Sequence, residues 1–221
     1  MSEGRTVSEK KPAIDLYTWN TPNGRKVSIM LEELGLSYRV LPIDIGRGEQ
    51  YEEDFLRISP NNKIPAIVDH DTGTSLMESG AILMYLAHKT GKLMSETGSS
   101  DYWQELEWLM LQMGGIGPMF GQSHHFLKFN PGKSEYSEQR YGDETLRLYG
   151  VLDRRLQDRQ FICAHYSVAD IATWPWVSRY EWQRVDLNDF PNVKRWYVDI
   201  ASRPAVQRGY GVPDPLAIPL P

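Results

Sequence analysis

Two kinds of apolar pattern alternate along the first ninety residues. Ala13 to Tyr17 is a short apolar run of strand length. From Pro22 to about Leu34, the apolar positions Val27, Met30, Leu31 and Leu34 fall at helical spacing, and Gly35 supplies the stop. Tyr38 to Ile43 predicts a second strand; Pro42 within it points to a sheet edge, because proline donates no ladder hydrogen bond. After a GRGEQ loop, Tyr51 to Ile58 predicts a short helix. Ala66 to Val68 and Thr74 to Met77 flank the turn His70-Asp71-Thr72-Gly73 and predict a hairpin. Ser79 to Thr90 is apolar nearly all round, which predicts a buried helix ended by Gly91. The order β-α-β-α-β-β-α describes a small mixed sheet covered by helices.

Beyond Leu93 the pattern changes. SETGSSD reads as a linker, and the remainder of the chain is helix or loop: Ser100 to Met113, Tyr136 to about Leu156, Ser167 to Ser178, and Pro191 to Ser202 are the helices. GGIGPMFGQ is expected to break or kink the first of these. The expected organisation is a flexible tail over 1–12, an α/β domain over 13–94 and an all-helical domain over 101–221.

Composition removes several function classes. A net charge of -5 with interspersed signs argues against nucleic acid as a partner. No apolar run approaches the roughly 18 residues of a membrane span, and the N-terminus has no apolar signal region, so a cytoplasmic protein without a membrane partner is expected. The single cysteine, Cys163, rules out an intramolecular disulfide framework and any cysteine-based zinc cluster. It has no motif partner and reads as a small structural residue. His124 and His125 are adjacent, so on a helix they point about 100° apart; no metal is expected, and packing or a part in binding a second substrate remain as roles. Gly115, Gly117 and Gly121 follow a helix at the wrong spacing for a dinucleotide loop. They are expected to bend a helix, with Met113, Met119 and Phe120 in the core or beside a substrate.

Three short stretches carry candidate chemistry. In WNTPNGRKV, Thr21 is a good N-cap and Pro22 suits the first helical position. The free amides of that turn and the helix dipole favour an anion, with the Thr21 hydroxyl and Asn23 amide at the same end. In KIPA, Pro65 is either a trans proline opening an edge strand or a cis proline that turns the Ile64 backbone toward the first turn. In MESGA, Ser79 reads as the N-cap of the buried helix, with Glu78 beside it. Together they suit an amino-acid head, carboxylate at Ser79 and ammonium at Glu78.

At these residues the chain resembles the glutathione transferases, with a thioredoxin-like N-terminal domain and a C-terminal helical bundle. YSVADIA resembles the capping box of that family, Ser167 answered by Asp170. The runs TPNGRK, FLRISPNNKIPAIVDH, GGIGPMFGQSHHF and ADIATWPWV are similar to the nu-class, disulfide-reductase type, relatives of the yeast nitrogen-regulator proteins, which use no protein cysteine. The resemblance implies Thr21 and Asn23 beside a glutathione sulfur. It implies Gln50 and Lys63 near the glycyl end, Ile64 on the cysteinyl backbone, and Glu78 with Ser79 on the γ-glutamyl head. Arg140 would reach a glutathione of the neighbouring subunit, which implies a homodimer. One or two glutathiones, or glutathione disulfide, would be held without a metal. Tyr17 ends the first strand, where tyrosine-type relatives carry their hydroxyl; the TPNG match gives that role to Thr21. The implied activity is disulfide-bond reduction, with conjugation of small electrophiles and non-catalytic glutathione binding as alternatives.

Overall fold

The computed structural model describes residues 12–221, so nearly all of the expected tail lies outside the described residues. Strand β1 (Ile14–Thr18) is central. β2 (Tyr38–Pro42) pairs parallel to it on one side and β3 (Ala66–Asp69) antiparallel on the other; β4 (Thr74–Met77) completes the order β2-β1-β3-β4. Pro42 ends the edge strand β2, where its missing N–H breaks no ladder.

Helix α1 (Pro22–Leu34) follows β1 and is buried along most of its length, with Val27, Ile29, Met30 and Leu31 inaccessible. The expected short helix is a 3₁₀ turn at Glu49–Tyr51 followed by α2 (Glu53–Leu56). Helix α3 (Ser79–Thr90) packs against α1, as the continuous apolar run requires.

The helical half is continuous at its start, where a break or a kink is expected. Helix α4 (Ser100–Leu111) is not broken by GGIGPMFGQ. It passes through a widened π-helical segment at Gln112–Ile116 into α5 (Gly117–Ser123), then through a second at His124–Phe129. The backbone ladder shifts register rather than stopping, and Pro118 falls in the first turn of α5, where its missing N–H removes little. Helices α6 (Glu135–Arg155), α7 (Val168–Val177) and α8 (Pro191–Ala201) lie close to their expected bounds.

The sequence pattern does not announce the last helix, α9 (Pro204–Tyr210). Seven residues are too few for periodicity to reveal it. It packs on the back of α1, so closely that a Cβ on Gly209 would lie 2.6 Å from Ile29 Cα. Ser28 Oγ donates to the Gly209 carbonyl at 2.7 Å and Arg25 Nε to that of Tyr210 at 3.0 Å.

The capping box at α7 is complete. Ser167 Oγ accepts from Ala169 N–H at 3.3 Å, and the buried Asp170 carboxylate accepts from Ser167 N–H, Ile162 N–H and Trp196 Nε1–H. Burial pushes Asp170 up to about 6. Most aromatic residues serve the core: Trp174 stacks on Tyr197 and Phe120 on Tyr149. Cys163 is buried, and that burial pushes its thiol up to about 12, which suits a structural residue.

Candidate functional site

The turn between β1 and α1 is built by Thr21 and Gly24. Thr21 is extended, and its Oγ1 accepts from Gly24 N–H at 3.1 Å, leaving the hydroxyl proton to be donated elsewhere. A Cβ at Gly24 would sit 2.4 Å from the Trp19 carbonyl oxygen, so only glycine lets the turn close on β1. No acidic residue stands in the first turn of α1, so the positive end of the helix is not answered from within.

Asn23 is held from the helical half. Its Oδ1 accepts from Trp176 Nε1–H at 3.0 Å, which leaves the amide NH₂ as a donor. Behind Trp176, His124 stacks on the indole ring. The orientation of Gln183 fixes the histidine. Gln183 Oε1 accepts from the Tyr149 hydroxyl at 2.6 Å, so its NH₂ group faces the Trp176 carbonyl and His124 Nε2, both at 3.0 Å. His124 Nε2 must therefore accept, and the ring is neutral with its proton on Nδ1. Burial and the nearby Arg179 push its pKa down to about 4. His124 thus has a packing role at the cleft wall, where exposed His125 also stands.

Two adjoining cavities meet at this turn. The larger, about 780 Å³, takes Thr21, Asn23, Gln50, Lys63 and Ile64 from the α/β half and His125, Phe129, Trp176 and Trp182 from the helical half. The smaller, about 140 Å³, takes Ser59, Met77, Glu78, Ser79 and Met113. Asn23, Lys63 and Ile64 border both. The Ile64–Pro65 peptide is cis, and Ser59 Oγ donates to the Lys63 carbonyl at 2.8 Å beside it. Gln50 Oε1 is buried and receives no hydrogen bond from the described residues.

The cap of α3 differs from expectation. Ser79 is the first helical residue, and Glu78 holds the cap position at φ 70°, ψ 112° without a side-chain capping bond. A glutamate held at positive φ costs about 1–3 kcal/mol, a strain that collects at functional sites. Here Ile82 N–H, bonded to the Glu78 carbonyl at 2.9 Å, and the Met77–Ala66 pairing hold it in place. The Ser79 hydroxyl is turned inward, where it meets Lys26.

Lys26 is a site residue that the motifs do not single out. It is fully buried, with Nζ 2.6 Å from Gln112 Oε1, 3.3 Å from Ser79 Oγ and 3.5 Å from Met113 Sδ. Burial pushes its pKa down to about 7, against the pull of Glu78. A signal does exist in the sequence: Arg25 and Lys26 stand near the start of a helix whose dipole disfavours cations there. Arg25 is also buried, over the Tyr210 ring.

The structure therefore gathers Thr21, Asn23, Gln50, Lys63, Ile64, Glu78 and Ser79 around two joined cavities. Arg140 is not among them. It is exposed on α6, in an open groove with Met119, Tyr136 and Arg147. Tyr17 lies beside Phe55, its hydroxyl pKa raised by burial, and borders neither cavity. Of the flagged apolar residues, Met113 faces the smaller cavity and Phe120 is core. No cluster of metal-ligating side chains occurs among the described residues.

Residues 12–88 match the glutathione S-transferase N-terminal domain, and residues 113–204 match the glutathione S-transferase C-terminal domain. The chain belongs to the glutathione transferase family. Within it, this transferase is 52% identical to the disulfide-bond oxidoreductase YfcG of Escherichia coli over 198 residues, covering 87% of this chain and 92% of that protein. It is 36% identical to the disulfide-bond oxidoreductase YghU of the same organism, covering 93% and 76%. Among solved structures it is similar to a Pseudomonas putida glutathione transferase with one glutathione disulfide bound per subunit, at 44% identity and a TM-score of 0.88, covering 94% of each chain. A Burkholderia graminis glutathione transferase with two glutathione molecules bound per subunit matches at 43% identity and a TM-score of 0.86, covering 94% of this chain and 91% of that one.

Proposed function

We propose that this transferase is a glutathione-dependent disulfide-bond oxidoreductase whose reactive sulfur arrives with the cofactor. The observation that carries this reading is a helix start with an outward hydroxyl and amide donor at a cleft that contains no protein thiol. An ordinary thiol, with pKa about 8.5, is only a few per cent ionised at pH 7. Lowering it by about 2 units takes roughly 2.7 kcal/mol. One hydrogen bond to a thiolate gives about 1.5–3 kcal/mol and a helix N-terminus about 0.3–1 kcal/mol. The Thr21 hydroxyl, the Asn23 NH₂ group and the first-turn dipole meet that requirement without a general base.

In this reading Ile64 offers its backbone to the cysteinyl unit, Gln50 and Lys63 face the glycyl carboxylate, and Glu78 with Ser79 hold the γ-glutamyl head in the smaller cavity. The glutathione thiolate attacks a small-molecule disulfide and expels one thiolate, forming a mixed disulfide. A second glutathione thiolate then attacks the glutathione sulfur of that mixed disulfide, expelling the other half as a thiolate and forming glutathione disulfide. The larger cavity is the space for that second molecule, in keeping with relatives that hold two glutathiones or their disulfide. Its Trp176, Trp182 and Phe129 walls also support a second reading, conjugation of small aromatic electrophiles by the same thiolate. A homodimer fits the exposed Trp103 and Met110 on α4 and Tyr136 and Leu146 on α6, with Arg140 reaching the partner's cleft. No helix of the described residues is long and apolar enough to cross a membrane, and a cytoplasmic setting keeps glutathione reduced.

The test is turnover of a small model disulfide with glutathione, compared with conjugation of an aryl halide. Thr21→Ala and Asn23→Ala should each lower disulfide turnover at least tenfold. Unchanged rates in both variants would remove this turn from the chemistry, and faster conjugation than reduction would favour the second reading.

A further inference from the structure

The smaller cavity has a back wall that the chemistry above does not use. Lys26 reaches it from α1, and its Nζ touches Ser79 Oγ, Gln112 Oε1 and Met113 Sδ. Enclosing an ammonium is expensive, and an apolar side chain of similar volume would pack the same space at less cost. The direction of the hydrogen bonds shows what the amine accomplishes. An ammonium has hydrogens to give and no lone pair, so Ser79 Oγ accepts from it. The Ser79 proton is then left with Met113 Sδ, a weak acceptor at 3.7 Å. A carboxylate oxygen entering the cavity would be a far better one. Gln112 anchors the amine from the helical half, so the direction of this hydroxyl is set across the contact between the two halves.

We propose that Lys26 is a positioning residue for the γ-glutamyl carboxylate, acting through Ser79, which it holds as a donor toward the cavity. This rests on the reading that Glu78 and Ser79 hold the γ-glutamyl head. The charged residues bordering the cavity are Glu78 and Lys63, while Gln112 and Met113 are neutral. Burial brings the amine to about 7, and an arriving carboxylate adds negative charge that keeps it protonated.

The experiment compares glutathione with cysteinylglycine, which lacks the γ-glutamyl unit, as thiol donors for a small disulfide. Lys26→Met should raise KM for glutathione about tenfold with kcat within about threefold. The preference for glutathione over cysteinylglycine should fall by the same factor. Ser79→Ala should narrow that preference similarly, and the double variant should narrow it no further than either single one. Gln112→Met, which leaves α1 untouched, should reduce the preference about threefold by releasing the amine. The proposal is overturned if Ser79→Ala narrows the preference while Lys26→Met and Gln112→Met do not, or if the Lys26 and Ser79 effects multiply. A preference unmoved by Ser79→Ala would instead overturn the assignment of the γ-glutamyl head itself, and this proposal with it.

Discussion

Helices α1 and α7 begin with the same kind of signal and end with opposite electrical states. Each has a hydroxyl cap: Thr21 accepts from Gly24 N–H, and Ser167 from Ala169 N–H. Three residues on, α7 has Asp170, whose carboxylate closes the capping box by accepting from Ser167 N–H, while α1 has Gly24. The positive end of α7 is therefore neutralised by its own chain and buried. That of α1 is left for an anion from outside. Helix α3 resembles α1, since Glu78 makes no capping bond. A helix start stays open to an anion when no acid of its own chain bonds to it and the end faces a cavity.

The strongest way to break this contrast is at Asp170. Asp170→Ala would strand Ile162 N–H, Ser167 N–H and Trp196 Nε1–H in the core, and should lower unfolding free energy by about 3–5 kcal/mol in urea titrations. Activity per folded molecule should stay near wild type; a strong loss of turnover in the folded fraction would mean that α7 is not merely structural. Next comes His124, which props the Trp176–Asn23 contact. Its folded pKa of about 4 lies below the ordinary value of 6.5. Between those limits the unfolded chain binds a proton that the folded chain refuses, so this contribution to stability is lost as pH falls. The stability of His124→Phe relative to wild type should therefore improve by about 3 kcal/mol from pH 6.5 to 4. A difference that does not change with pH would show the ring to be protonated in the fold.

A smaller effect separates the two roles of Thr21. Thr21→Ser keeps cap and hydroxyl and should stay within about threefold of wild-type turnover, against the tenfold or larger loss in Thr21→Ala. Equal losses would make the methyl group, not the hydroxyl, the important part. The smallest effect belongs to Gln50, which lines the larger cavity and whose buried amide oxygen has no partner among the described residues. Gln50→Leu should raise KM for glutathione about two- to fivefold with little change in kcat.

Local rules make the α/β half legible. Its strands and helices are bounded by Gly35, Gly91 and the hairpin turn, and Pro42 marks the edge strand. The site residues on those elements are visible for the same reason, since Thr21, Ile64 and Glu78 sit at element ends. The features that stay hidden depend on partners distant in sequence. The π-helical segments keep a helix running through glycines that by themselves signal a stop. Ser79 reads as a cap although it is the first helical residue, because a glutamate at positive φ is not a cap that composition announces. Lys26 is marked in the sequence only by its place near a helix start, and its role emerges when Gln112, 86 positions away, is brought to its amine. Asn23 gives no hint that an indole 153 residues on takes its oxygen.

The packing of α9 on α1 also has a consequence for synthesis. The Ser28–Gly209 hydrogen bond spans 181 positions, and the Arg203–Glu33 pair spans 170. On the ribosome, the strands and α1 emerge long before the segment that covers the back of α1. The rear of the helix that opens the cleft therefore stays uncovered while the intervening residues are made, when chaperones have access to it. That helix can settle only once residues 203–210 have left the exit tunnel, so a part of the site waits for a segment made about 170 residues later.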